Sequence, residues 1–141
     1  MGKKKIYLET TLFNYYFDTE NPDLHKDTVE LFKACAAGIF EPYTSQYTIE
    51  ELKKASLEKY NKMVKLIKLY NIEVLDSSDA ANKLAKQYIF KGAIPKSSRA
   101  DARHIAVASI NELDTIASLN FQHIVRKKTT ELINEINTSL G

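Results

Sequence analysis

Apolar and polar positions alternate between short extended runs and longer stretches in which an apolar residue returns every three or four positions. The extended runs predict strands over residues 5–8, 40–44, 72–75 and 114–118. The helical stretches predict helices over 12–17, 23–37, 48–70 with a break near Ser56, 79–91, from 98 onward, and 129–137. Because strands alternate with helices, we expect right-handed crossovers and a largely parallel sheet in one α/β domain covering residues 1–141.

Composition agrees with one folded domain and excludes several classes of protein. The chain has 141 residues, of which 44% are hydrophobic and 27% are charged. Its 20 basic and 18 acidic side chains leave a net charge of +2, which argues against a broad cationic surface for nucleic acid but not against a local site. Cys35 is the single cysteine, so neither an intramolecular disulfide nor a cysteine-rich metal site can form.

Several sequence motifs that would indicate other activities are absent from the chain. The chain has no glycine-rich phosphate loop, dinucleotide fingerprint, zinc spacing or serine-nucleophile elbow. Its apolar runs are too short for a bilayer span, and the basic N-terminus is not followed by the apolar stretch of a signal peptide. We therefore expect a cytoplasmic protein that makes no use of a membrane.

Oxygen-bearing side chains recur where predicted strands end and where the next helices begin. Glu9 directly follows the first strand, Glu51 and Asp101 lie in the first turns of two helices, and Asn120 follows the last strand. Ligands of an open parallel sheet bind outside the carboxyl ends of its strands. Carboxylate and amide oxygens are the donors that Mg²⁺ and Mn²⁺ prefer, and a cation would offset the repulsion between neighbouring acids. This pattern predicts a metal site.

Helix capping is the alternative interpretation of two of these acids. Residues 48–51 and 98–101 both fit the capping-box pattern, in which Thr48 or Ser98 would begin a helix and the acid would satisfy backbone N–H groups. Glu9 has no such interpretation, because it ends an apolar strand, and we expect it to play no capping role.

Four sequence blocks around these residues resemble the PIN domain, and together they span essentially the whole chain. They read Ile-Tyr-Leu-Glu-Thr-Thr at 6–11, Ile-Glu-Glu-Leu at 49–52, Ala-Asp-Ala-Arg-His-Ile-Ala at 100–106 and Ser-Leu-Asn-Phe-Gln-His-Ile-Val at 118–125. The resemblance implies a three-layer α/β/α fold with a central, mainly parallel sheet of four to five strands. It also implies a ribonuclease that depends on Mg²⁺ or Mn²⁺, often the toxin of a toxin–antitoxin pair. An RNA substrate, an antitoxin partner and a homodimer are the corresponding expectations.

The resemblance assigns the site residue by residue. Glu9, Glu51 and Asp101 stand at its first three acidic positions and would hold the metal, while Asn120 stands where a fourth aspartate is frequent and would complete the catalytic set. Two positions depart from the pattern: Glu9 is one methylene longer than the usual aspartate, and Asn120 carries no charge. The family's chains continue past this C-terminus with another short strand, so we expect a bare sheet edge.

Basic residues near two of these blocks are candidates for the substrate. Arg99, Arg103, His123 and Arg126 would contact RNA phosphates. The predicted function is hydrolysis of RNA phosphodiester bonds by a metal-activated water. The alternative is a non-catalytic PIN-like module that binds nucleic acid or protein and has a weakened metal site, because of the departures at Glu9 and Asn120.

Overall fold

Four parallel strands and six helices occupy the residues that the computed structural model describes, namely 4–76, 78–94 and 98–118. The strands are β1 (Lys4–Leu8), β2 (Phe40–Ser45), β3 (Glu73–Leu75) and β4 (Thr115–Ala117). The helices are α1 (Thr10–Tyr15), α2 (Pro22–Ala36), α3 (Gln46–Ala55), α4 (Leu57–Leu69), α5 (Asp79–Phe90) and α6 (Arg99–Ile110). The α/β class and the parallel sheet predicted from the sequence are confirmed.

The sheet has the order β3-β2-β1-β4, so β1 is paired on both sides. Tyr7 of β1 lies opposite Tyr43 of β2 and Ile116 of β4 in the two parallel ladders. All four strands therefore end at the same edge of the sheet, which brings together the residues that follow them.

The described residues form two compact units. The first contains the sheet and α1–α4, built from residues 4–76 and 113–118. Its core joins alternate residues of β1 to apolar residues of the helices and to one residue just before β3. The members are Ile6, Leu8, Leu12, Phe13, Phe32, Cys35, Leu52, Met63, Leu66 and Ile72. The second unit lies within residues 77–112 and contains α5 packed on α6.

Two local signals end helices where the sequence indicated. Gly38 has a φ of +83°, and the N–H groups of Gly38 and Ile39 donate to the carbonyls of Cys35 and Ala34, which closes α2 with a Schellman motif. Ser56 separates α3 from α4 with extended backbone, and its hydroxyl accepts from the N–H of Lys59 at 3.0 Å. The predicted break near Ser56 is confirmed.

The predicted helix over 129–137 lies outside the described residues. Among the helices that the structure does describe, none combines the length and the apolar character that crossing a bilayer requires.

Candidate metal centre

The end of β1 sets the geometry of the candidate site. Ile6 and Leu8 point into the core of the first unit, and Tyr7, between them, must face the opposite side of the sheet. Glu9 continues the ladder for one more bond, because its N–H donates to the carbonyl of Ala117 at 3.1 Å. The chain then turns directly into α1, so the Glu9 side chain is fixed at the carboxyl edge of the sheet.

Three hydrogen bonds converge on one oxygen of Glu9. Its Oε1 accepts from the N–H of Thr11 at 3.0 Å, from the Thr11 hydroxyl at 2.6 Å and from the Ser118 hydroxyl at 2.7 Å. The first of these bonds makes Glu9 the N-cap of α1. The expectation that Glu9 has no capping role was therefore wrong, because a helix begins immediately after the strand.

Glu51 reaches the site from α3 and is held by α1. Helix α3 begins at Gln46, three positions earlier than the capping-box pattern indicates, and its N-cap is Ser45. The interpretation of Thr48 as the cap is wrong, since Thr48 lies inside the helix. Glu51 is half-buried, and its Oε2 accepts a hydrogen bond from the Thr10 hydroxyl at 2.8 Å.

The two carboxylates are close enough to share a cation. A carboxylate oxygen of Glu9 lies within 4.8 Å of one of Glu51, a separation at which two negative charges repel. Glu9 is only 5% exposed, and no lysine or arginine in the described part of the chain forms an ion pair with it. The three hydrogen bonds that hold Glu9 all end on Oε1, and none of them uses its Oε2. A hard divalent cation fits this oxygen pair.

A buried pair of hydroxyl groups lies close to the acids. The Tyr7 and Ser45 hydroxyl oxygens are 2.6 Å apart, and Ser45 is fully buried. Burial raises the pKa of Tyr7, the bond to Ser45 opposes that shift, and the charges of Glu51 and Glu9 add to it. The phenol therefore stays neutral and adds no third negative charge to the site.

The next acid of the predicted set lies on α6, in the second unit. Asp101 is in the first turn of this helix and is 8% exposed. Ser98 is the N-cap residue of α6 as predicted, but its side chain makes no capping bond. The exposed Arg99 and Arg103 lie one helical turn apart on the same helix and line a common cleft.

Three predicted site residues, Asn120, His123 and Arg126, lie outside the described residues. Asp114 belongs to the opposite end of the sheet, because its carboxylate accepts from the N–H of Lys5, near the start of β1, at 2.7 Å.

The hydroxyl side chains that hold the two glutamates are the part of the site that residue types alone did not indicate. Thr10 holds Glu51, whereas Thr11 and Ser118 hold Glu9. A signal was present, since the first block reads Glu-Thr-Thr and the last begins with Ser118. Serine and threonine have many roles at strand ends, so only the geometry distinguishes these three.

Neither a family model nor a curated protein matches this chain. Among solved structures, a chain of VapBC2 from Rickettsia felis, determined bound to a DNA fragment from its promoter, superimposes with a TM-score of 0.57. The match covers 84% of this chain and 89% of that chain at 17% sequence identity. The fold is PIN-like. Ligands of an open parallel sheet bind outside the carboxyl ends of its strands, and Glu9 and Ser118 follow β1 and β4 at that edge.

Proposed function

We propose that this protein is a metal-dependent endoribonuclease that hydrolyses RNA phosphodiester bonds, with Glu9, Glu51 and Asp101 as ligands of Mg²⁺ or Mn²⁺. The observation that carries the proposal is the approach of the Glu9 and Glu51 carboxylates to within 4.8 Å at the carboxyl edge of the sheet. Asp101 enters through its place in the order of the family's sequence blocks. The PIN-like fold supports the same chemistry.

The side chains of the first unit pre-organise the site. Thr11 and Ser118 fix Oε1 of Glu9, and Thr10 fixes Oε2 of Glu51, so neither carboxylate has to be ordered when a ligand arrives. A divalent cation bound there would polarise a phosphoryl oxygen and lower the pKa of a water molecule. Asn120 would orient the water or a phosphate oxygen through its amide.

The likeness to the VapBC2 structure also suggests binding partners for this chain. The structural neighbour is a VapBC2 assembly bound to DNA. For this chain we propose an antitoxin protein as a regulatory partner and a homodimer as the working form. Light scattering of the purified chain, alone and after co-expression with the product of a neighbouring reading frame, tests both proposals.

RNA cleavage tests the proposed function. We expect the wild-type protein to cleave a labelled structured RNA in Mg²⁺ or Mn²⁺ and to lose that activity in excess chelator. Glu51→Gln removes one ligand charge and should lower cleavage at least ~100-fold, the scale of losing a group that stabilises charge in the transition state. Glu50→Gln is the matched control, because Glu50 is exposed on the same helix. Its activity should equal that of the wild type.

Two outcomes of this assay would contradict the proposal. Cleavage that persists in chelator would show that no metal is needed. RNA binding without any cleavage, under conditions in which Mn²⁺ is bound, would assign the chain to the non-catalytic nucleic-acid-binding alternative.

A further inference from the structure

A cleft of about 660 Å³ lies between α5 and α6, wholly within the second unit. Its lining comes from one face of α5 and from the first two turns of α6: Asn82, Ala85, Lys86, Ile89, Phe90, Arg99 and Arg103. The α5 residues recur at helical spacing, so they form a continuous wall of the cleft. The volume lies in the range of sites that bind small molecules or one segment of a polymer.

The charge of the cleft selects an anionic occupant. Three of its lining side chains are the cations Lys86, Arg99 and Arg103, and none of the described lining residues is acidic. All three are exposed, so a ligand can reach them without rearrangement of the core. Lysine and arginine so placed bind phosphate groups, and arginine binds them in a bidentate manner.

The apolar part of the cleft selects a ligand with a flat face. Phe90 is 85% exposed, more than any other large apolar side chain in the described part of the chain, and it stands at the end of α5 on the cleft. Ile89 and Ala85 extend the apolar surface along the same helix. An aromatic ring beside cationic groups is the arrangement that stacks an unpaired base while holding its phosphates.

We infer that this cleft binds single-stranded RNA, with phosphates on Lys86, Arg99 and Arg103 and an unpaired base on Phe90. The inference takes its substrate class from the proposed function. It adds Lys86 and Phe90 to the residues that contact RNA, and it predicts a preference for unpaired over duplex RNA, because a paired base has no free face for the ring.

Binding without chemistry tests the phosphate contacts. Fluorescence anisotropy of a labelled single-stranded RNA is measured in excess chelator over a salt series, with the full chain. Arg99→Ala and Lys86→Ala should each weaken binding, and each should reduce the slope of log K against log salt by about 0.7, the value for one phosphate contact of a single strand. Lys83→Ala is the matched control, because Lys83 is exposed on α5 outside the cleft lining. Equal slopes for all variants would overturn the inference.

The aromatic contact has a separate signature. Phe90→Ala should weaken binding of the single strand by roughly 5- to 150-fold, the cost of one stacked base, without changing the salt slope. Its effect on a duplex of the same sequence should be small. Leu57→Ala, at another exposed apolar position, should change neither affinity. An unchanged affinity of the Phe90 variant, or an equal loss for single strand and duplex, would overturn the stacking contact.

This experiment separates the inference from the proposed function. If the protein cleaves RNA but the cleft variants bind RNA like the wild type, the cleft assignment fails and the nuclease proposal stands. If the cleft variants lose binding but the wild type never cleaves RNA, the cleft assignment holds and the nuclease proposal fails.

Discussion

The hydroxyl of Ser118 donates a hydrogen bond of 2.7 Å to Oε1 of Glu9, although the two residues are 109 positions apart in the chain. Each residue directly follows a strand, Glu9 after β1 and Ser118 after β4, and those strands are paired in parallel. The bond therefore depends on the register of the sheet. It also fixes the direction in which the buried carboxylate can present its second oxygen.

Ser118→Ala should weaken metal binding without touching a proposed ligand. Loss of one donor leaves Glu9 less fixed, and removal of such a supporting bond costs about 10- to 100-fold in metal affinity. Calorimetric titration with Mn²⁺ measures the effect, and Ser118→Thr, which keeps a hydroxyl, should restore most of the affinity. An affinity equal to that of the wild type in Ser118→Ala would show that the bond does not position Glu9.

Thr10→Val should act on the site through Glu51. Valine keeps the shape of threonine but removes the hydroxyl that donates to Glu51 Oε2 at 2.8 Å. We expect weaker Mn²⁺ binding and slower RNA cleavage. Thr28→Val is the matched control, because Thr28 is a buried threonine whose hydroxyl donates to the carbonyl of Leu24 on α2. That control should change stability alone, and equal Mn²⁺ affinities of the two variants would contradict the assignment.

Phe32→Ala should destabilise the first unit strongly. Phe32 is fully buried, and its ring makes edge contacts with Phe13 and Tyr16. Truncation of a buried phenylalanine costs about 3–5 kcal/mol. Leu57→Ala, at a position that is 69% exposed, should change the free energy of unfolding by less than about 0.5 kcal/mol. Urea unfolding at constant m-value measures both. A loss of less than about 1 kcal/mol in Phe32→Ala would contradict the position of Phe32 in the core.

Stability should fall at alkaline pH. Burial and the bond to Tyr16 raise the pKa of Tyr70 to about 12, and burial raises the pKa of Cys35 to about 11. In the unfolded chain these groups release their protons near pH 10 and near pH 8.5. As the pH rises, the unfolded chain loses protons that the folded chain keeps, so folding becomes less favourable up to about pH 12. Urea titrations at pH 8, 10 and 11 should show a falling midpoint, and a constant midpoint would contradict this.

The sequence predicted the strands and helices of the described region well, because their apolar spacing is regular. It also selected Glu9 and Glu51, which approach each other at the carboxyl edge of the sheet. The sequence placed Glu51 in the first turn of its helix, whereas α3 begins at Gln46 and has no acid in its first turn. It misjudged local roles: Glu9 caps α1, and Thr48 lies inside α3. Those roles depend on the exact residue at which each helix begins. The sequence pattern located the start of α3 only to within three residues, because tertiary contacts decide that position. The sequence did not indicate Thr10 and Ser118, because each donates to a residue that is distant in the chain.

Binding of Mn²⁺ to the wild-type chain and to Glu9→Gln, followed by calorimetry, tests the central claim most directly. Glu50→Gln is the control, because it removes an equal charge from an exposed position beside Glu51. The metal-site account predicts a saturable site in the wild type and in Glu50→Gln, and a site weakened at least ~10-fold in Glu9→Gln. No saturable binding to the wild type, or equal binding by all three proteins, would contradict it.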